Sequence, residues 1–344
     1  MPVITSTTPS QHFLFQSGHA QTIFPVLFRI KPQFTYLRER IITPDRDFID
    51  IDWKLIQKNK DSSPFNTGYN LYHNSDVEHG EKLAIVTHGL EGSASRKYVR
   101  GMVRALHEVG YDCAALNLRG CSGETNTRQY SYHSGFTLDI TTVIDHALSK
   151  KSYNEIVLVG FSLGGNITLK YLGEQGNTLP HEIKKAAVFS VPVDLTDSSK
   201  QLDNKSNALY MRYFMRMLKK KIREKHIYYP TSTPLEGLSK MKTFREFDGA
   251  YTAPFNGFSS ADEYWEKCSS KPLLNNIAVP TLLVNAKNDP FLGEACFPVE
   301  EAENNEHFFL EMPETGGHVG FVPEKITDKN YWAEKRAVDF FTSG

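Results

Sequence analysis

Three residues far apart in the chain have the types and settings of a nucleophilic site: Ser162 in GFSLGGN (160–166), Asp289 in NAKNDPF (285–291) and His318 in GGHVGF (316–321). A serine hydroxyl attacks a carbonyl only when a base takes its proton, and that base needs an acid to orient it. Ser162 ends the apolar run VLVG, with Gly160 two residues before it and Gly164 two after. A strand-to-helix turn this sharp strains the central residue and leaves no room for side chains at the flanking positions. It also lifts the hydroxyl to a helix N-terminus, where free N–H groups suit a developing oxyanion. Asp289 lies just past the run TLLVNA, and His318 lies in a glycine-rich loop past HFFLEM. These positions predict Ser162 as nucleophile, His318 as base and Asp289 as the acid.

Rivals exist for two of the roles. Asp194 follows the strand-like run AVFSVPV and is an alternative acid. His19, His88 and His133 are alternative bases, although His88 in HGLEG is better placed to shape an oxyanion loop. That loop, THGLEGSASRKY, should supply one oxyanion donor from the Leu90 N–H, and the second should come from Leu163, the residue after the nucleophile. Gly89 and Gly92 would let the loop backbone approach a substrate closely.

Elements that could position these residues follow from the periodicity. YLRERIIT and FIDIDWKL alternate and read as an antiparallel opening pair, joined to the rest by a polar, turn-rich connection over 58–80. Short buried strands (KLAIVTHG, DCAALNLRG, EIVLVGFS, KAAVFSVPVDL, PTLLVNA, EHFFLEM) then alternate with helical segments, including one near 295–304 and a last one around 331–342. This pattern predicts an α/β fold with a mostly parallel sheet and helices on both faces. The rhythm breaks between 196 and 270, so the core is expected over 1–195 and 271–344 with a cap or lid inserted at 196–270. Such an insertion would cover the C-terminal strand ends, where ligands bind in open α/β sheets. Gly89, Met211, Phe214 and Met215 are the substrate-contact candidates, although helix packing also explains the apolar stripe of Leu209, Met211, Phe214, Met215 and Leu218. Lys219, Lys220 and Lys221 read as a solvated face, with a docking patch for an anionic surface as the sharper alternative.

With 39 Lys+Arg against 40 Asp+Glu in 344 residues, the net charge of −1 gives no reason to expect electrostatic attraction to nucleic acid or to an anionic membrane. The cysteines (Cys113, Cys121, Cys268, Cys296) form no CxxC or Cys/His pattern, so neither a disulfide framework nor a zinc site is expected, and a reducing, cytoplasmic setting fits. No metal-ligand motif or nucleotide-binding glycine motif is present, and no cofactor is expected. IFPVLFRI (23–30) is broken by Pro25 and Arg29 and is too short to span a bilayer, so no integral membrane segment is expected. The early aromatics Phe13, Phe15, Phe24, Phe28 and Phe34 are expected in the core.

Longer stretches give a family resemblance. SGHAQTI (17–23), HGLEGSASRKY (88–98), NLRGCSGETN (117–126), YHSGFTLDI (132–140), GFSLGGN, TFREFDGAYTAPFNGF (243–258), YWEKCSS (264–270), NAKNDPF and GGHVGF together resemble the YheT-like, or type 4, branch of α/β-hydrolases across nearly the whole chain. Ser17 departs from the asparagine usual in that branch. The resemblance implies a serine hydrolase of small-molecule carboxylic esters with Ser162, Asp289 and His318 as its triad. It implies short- to medium-chain acyl esters as substrates, with alcohol acyl transfer or phospholipid acyl hydrolysis as alternatives. A non-catalytic binding protein that keeps the fold is a further alternative.

Overall fold

The computed structural model describes residues 2–4, 15–56 and 81–343. Among the described residues, nine strands form one sheet: β1 (Val3–Ile4), β2 (Leu37–Ile42), β3 (Phe48–Lys54), β4 (Lys82–Thr87), β5 (Tyr111–Asn117), β6 (Glu155–Phe161), β7 (Ile183–Phe189), β8 (Thr281–Val284) and β9 (Phe308–Glu311). Their order across the sheet is β1-β9-β8-β7-β6-β4-β5-β3-β2. β2 pairs antiparallel with β3, and β3 with β5, while all other pairs are parallel. The expected antiparallel opening is therefore present. Phe13 and the 58–80 connection lie outside the described residues.

The sheet is buried on both faces because its central strands carry apolar residues at successive positions through their middles, as in Leu83–Val86 and Ile156–Val159. Alternation sends Leu83, Ile85, Ile156 and Leu158 to one face, and Ala84, Val86, Val157 and Val159 to the other. On the first face they meet α3 (Leu138–Lys150) and α4 (Leu163–Gln175) through Val143, Ile144, Ile167 and Leu172. On the second they meet α2 (Lys97–Glu108) and the final helix (Trp332–Thr342) through Val99, Val103, Ala337 and Phe341. The chain runs outward from β4 to β5 and then returns to the other side of β4 as β6. The carboxyl ends of β4 and β6 therefore flank a topological switch point, where open α/β sheets bind ligands.

Two N-terminal elements escape the periodicity reading. α1 (Gly18–Phe28) runs through Pro25, which lacks an N–H for the helical ladder and breaks the sequence pattern of a helix. β1 is only two residues long and is held by its parallel pairing with β9. Phe15 is buried, but Phe28 is 66% exposed, against the expectation for the early aromatics.

Between β7 and β8 the chain is helical: α5 (Leu195–Leu202), α6 (Ala208–Tyr228), α7 (Phe244–Phe247), α8 (Ala253–Phe255) and α9 (Ala261–Cys268). A π-turn at Asp248–Thr252 joins α7 to α8. α10 (Val299–Asn304) and α11 (Trp332–Thr342) complete the set, so the helix read near 295–304 begins later, at Val299. α6 buries Met211, Met215, Leu218 and Ile222 against Leu238, Phe247, Tyr251 and Phe291.

The lysine run on α6 does not form one solvated face. Lys220 is exposed, but the largely buried Lys221 pairs with Glu91 at 2.6 Å. One turn on, the buried Lys225 donates to the carbonyls of Asn126, Arg128 and Tyr130. Burial pulls the Lys225 amine down to about 7.

Candidate active site

Ser162 sits between β6 and α4 with φ 52° and ψ −123°, a conformation L-residues rarely adopt. The flanking glycines are sterically required. A Cβ on Gly160 would lie 2.5 Å from Gly165 Cα, and one on Gly164 would lie 2.4 Å from the His88 carbonyl oxygen. The Ser162 N–H donates to the Phe189 carbonyl at 2.9 Å, which ties the turn to β7.

The other two residues arrive from the ends of β8 and β9. His318 Nε2 lies 2.9 Å from Ser162 Oγ, and His318 Nδ1 lies 2.9 and 3.2 Å from the Asp289 oxygens. A carboxylate only accepts, so Nδ1 carries the proton and Nε2 presents its lone pair to the hydroxyl. Asp289 is 4% exposed, and its Oδ1 also accepts the Phe291 N–H at 2.9 Å. The Phe291 ring packs on the imidazole, with centroids 4.2 Å apart. This arrangement can deprotonate a hydroxyl poised above the sheet and stabilise the imidazolium that results.

The rivals are occupied elsewhere. Asp194 caps α5 by accepting the Asp197 N–H at 2.9 Å. His19 bonds the Tyr210 hydroxyl at 3.2 Å. His133 packs against the rings of Phe136, Phe258 and Tyr264. His88 accepts the Leu118 N–H at Nε2 and donates from Nδ1 to the Gly89 carbonyl, as suits a loop-shaping residue. Complete burial pushes its imidazole down to about 4, so it stays neutral.

The loop after β4 faces Ser162 at close range. A Cβ on Gly89 would come within 3.0 Å of Ser162 Cβ and 3.3 Å of the Phe161 carbonyl oxygen, a tight fit that would make the neighbours give way by a few tenths of an ångström. The Gly89 N–H donates to the Tyr98 hydroxyl, and the Glu91 N–H to Tyr132. Leu90 lies between these anchors, and its N–H has no acceptor among the described backbone groups. Leu163 is the first residue of α4, so its N–H lacks an intrahelical acceptor. Glu91, at φ 51°, accepts the Tyr132 hydroxyl at 2.8 Å as well as the Lys221 ammonium, which lies over the Tyr132 ring. α6 is therefore tied directly to the residue after Leu90.

Ser162, Leu163, Leu90 and His318 open into a cavity of about 150 Å³, walled by Phe214, Leu218, Phe244, Phe247 and Tyr251 among others. A wider groove of about 1200 Å³ also reaches Ser162 and His318, with Gly89 and Phe214 in its lining. Phe214 thus reaches the site. Met211 and Met215 do not line either space: one helical turn apart, they point into the packing between α6 and Phe247. Asp248 is buried in the cavity wall, where it accepts from Trp265 Nε1 and Thr252 Oγ1, and burial pushes its carboxyl up to about 6.

Three positioning residues were not singled out from sequence. Thr22 Oγ1 accepts the His318 N–H at 2.9 Å, Asn288 Oδ1 accepts the N–H groups of Gly316 and Gly317, and Ser190 Oγ accepts the Val319 N–H at 2.8 Å. Together they fix the histidine loop, whose Gly317 and Val319 both have positive φ. Thr22 lies in the SGHAQTI stretch, so that motif is the N-terminal brace of the loop.

A family model described as the alpha/beta hydrolase fold matches residues 85–324. The chain belongs to the α/β-hydrolase family. Among its family relatives it is 34% identical to YheT of Escherichia coli (strain K12), assigned as an esterase in its name, over 96% of this chain and 91% of that one. It is 29% identical to human phospholipase ABHD3, over 93% of this chain and 75% of the relative. It is also 29% identical to medium-chain fatty acid ethyl ester synthase/esterase 2 of Saccharomyces cerevisiae (strain ATCC 204508 / S288c), over 76% and 62%. The fold matches that of the Pyrococcus furiosus esterase Pf2001 with a TM-score of 0.54 at 17% identity, covering 91% of this chain and 94% of the esterase. Among the described residues, no helix is long and apolar enough to cross a membrane.

Proposed function

We propose that the protein is a serine hydrolase of carboxylic esters with Ser162, His318 and Asp289 as its triad. The observation that carries this reading is the unbroken chain of contacts from Ser162 Oγ to His318 Nε2 at 2.9 Å and from His318 Nδ1 to Asp289 Oδ2 at 2.9 Å. In the first half-reaction, Oγ bonds to the acyl carbon while His318 takes the hydroxyl proton. The oxyanion rests on the N–H groups of Leu90 and Leu163. Collapse expels the alkoxide, which leaves as an alcohol carrying the proton from His318. Water, deprotonated by His318, then attacks the acyl-enzyme, releases the acid and restores Ser162.

The helices of 196–270 act as the cap, and the apolar cavity beside Ser162 receives a short- to medium-chain acyl group. Relatives named for an esterase, a phospholipase and a medium-chain ethyl ester synthase support an acyl ester as substrate. The synthase kinship also favours a second reading, in which an alcohol replaces water in the second half-reaction. Ser162→Ala is expected to lose turnover of p-nitrophenyl esters on the order of 10⁶-fold. Turnover by that variant at the wild-type rate would refute the assignment. A chain-length series run with and without added ethanol separates hydrolysis from transfer.

A further inference from the structure

Of the fifteen exposed large apolar side chains among the described residues, eight lie on α1 and α6 or just beyond α1. Six of them gather at one place. Val26 and Leu27 on one bank, and Leu209, Tyr213, Ile227 and Tyr228 on the other, line the wide groove that ends at Ser162 and His318. Their exposures run from 40% for Tyr213 to 74% for Ile227. Monomeric soluble proteins seldom present apolar side chains grouped this way around an opening without a partner for them.

Charge decides what the partner is. Leu209, Tyr213, Arg216, Lys220, Arg223 and Ile227 recur every three or four residues and so share the outward face of α6, opposite the buried Met211, Met215, Leu218 and Ile222. α6 holds seven of the chain's 39 Lys+Arg but one of its 40 Asp+Glu, leaving 32 against 39 elsewhere. The positive face therefore sits on an otherwise acidic molecule. Lys220 with Glu224, at 3.6 Å, is the ion pair made by its exposed cations among the described residues. A second copy packed isologously on this face would bring cation against cation. Exposed apolar side chains interleaved with uncompensated Arg and Lys match instead the anionic headgroup layer of a lipid surface.

We propose that the α1–α6 face docks on an anionic lipid surface. Its apolar side chains enter the acyl boundary, the α6 cations lie against headgroup phosphates, and an ester dissolved in the lipid reaches Ser162 along the groove. Docking does not depend on the role of Ser162, so it is read with the full-length Ser162→Ala chain, which leaves the vesicles chemically intact. The chain should co-sediment with phosphatidylglycerol vesicles far more than with phosphatidylcholine vesicles, and salt should weaken the binding by screening. Arg216→Glu with Arg223→Glu should lower phosphatidylglycerol affinity on the order of 25-fold or more, about fivefold for each cation lost. Arg216→Lys with Arg223→Lys should keep it. Neither arginine lines the groove, so both double variants, made with Ser162 intact, should hydrolyse a dissolved short-chain ester as the wild type does, which also shows that they fold. Equal recovery with both vesicle types, no recovery with either, or full binding by the glutamate variant would each overturn the proposal. So would a dimer in solution that Ile227→Asp dissociates while no vesicle binding occurs, which would assign the face to a second copy.

Discussion

Asp289→Asn tests the proposed acid more sharply than any truncation, because the geometry dictates how the amide must sit. Asp289 Oδ1 accepts the Phe291 N–H at 2.9 Å, while Oδ2 faces His318 Nδ1 at 2.9 Å. In the variant, the amide oxygen stays on the Phe291 N–H, since an NH₂ group there would oppose a donor with a donor. The NH₂ group is then left facing His318 Nδ1, which must become the acceptor. The imidazole proton moves to Nε2 and points at Ser162 Oγ, so the base is lost although nothing has shifted in position. A tautomer change of this kind costs on the order of 10⁴ in kcat. That corresponds to about 5 kcal/mol of transition-state stabilisation. The change replaces one oxygen with nitrogen in a side chain that is 4% exposed, so packing is preserved and the thermal midpoint should move little. Steady-state hydrolysis of p-nitrophenyl butyrate at neutral pH reads kcat, and a melt controls for folding. Asp194→Asn is the comparison: its carboxylate caps α5, where asparagine caps nearly as well, so stability and turnover should both stay close to wild type. If Asp289→Asn kept kcat within tenfold of wild type while Asp194→Asn lost it, the acid would be Asp194 and the tautomer argument would be wrong.

Other outcomes follow from the same geometry. Gly164→Ala should cost at least about 3 kcal/mol or prevent folding, because its Cβ would meet the rigid carbonyls of Thr87 and His88 at 2.6 and 2.4 Å; a melt within a few degrees of wild type would contradict this. Lys221→Met strands the Glu91 carboxylate under α6 and should destabilise by about 3–5 kcal/mol while lowering kcat through the Leu90 loop. Adding Glu91→Gln should recover part of both losses, and simple additivity of the two changes would rule out the coupling. Burial holds the His133 imidazole down at about 4, against 6.5 in the unfolded chain, so its contribution is present above pH 6.5 and is lost as pH falls toward 4. The loss is about 3 kcal/mol. Buried Asp139 and Asp248, pushed up to about 6, act in the opposite sense over much of that window, so the measurement is the difference between wild type and His133→Phe. Parallel stability-against-pH curves for the two would refute the assignment.

Much of this protein is legible in its sequence because local rules and the global fold agree. Buried strands with runs of consecutive apolar residues, alternating with helical segments, admit little besides a covered parallel sheet. Gly160 and Gly164 flanking Ser162 after a buried apolar run fit a strand that turns sharply into a helix, so the turn is visible in the sequence. Asp289 and His318 follow as candidates once their strands are recognised, with Asp194 left as a rival acid until the contacts are seen. Other features depend on contacts between segments remote in sequence, and no local pattern carries those. Thr22 reaches His318 across 296 positions, and Pro25 obscures the helix that brings it there. Met211, Phe214 and Met215 share a composition, but only the rotation of α6 over the sheet turns Phe214 toward Ser162 and the methionines toward Phe247. Lys219, Lys220 and Lys221 form one basic run in the sequence. The tertiary structure directs Lys221 into an ion pair beneath the helix and leaves Lys220 outside, because neighbouring helical residues point about 100° apart and the core covers only one side of α6.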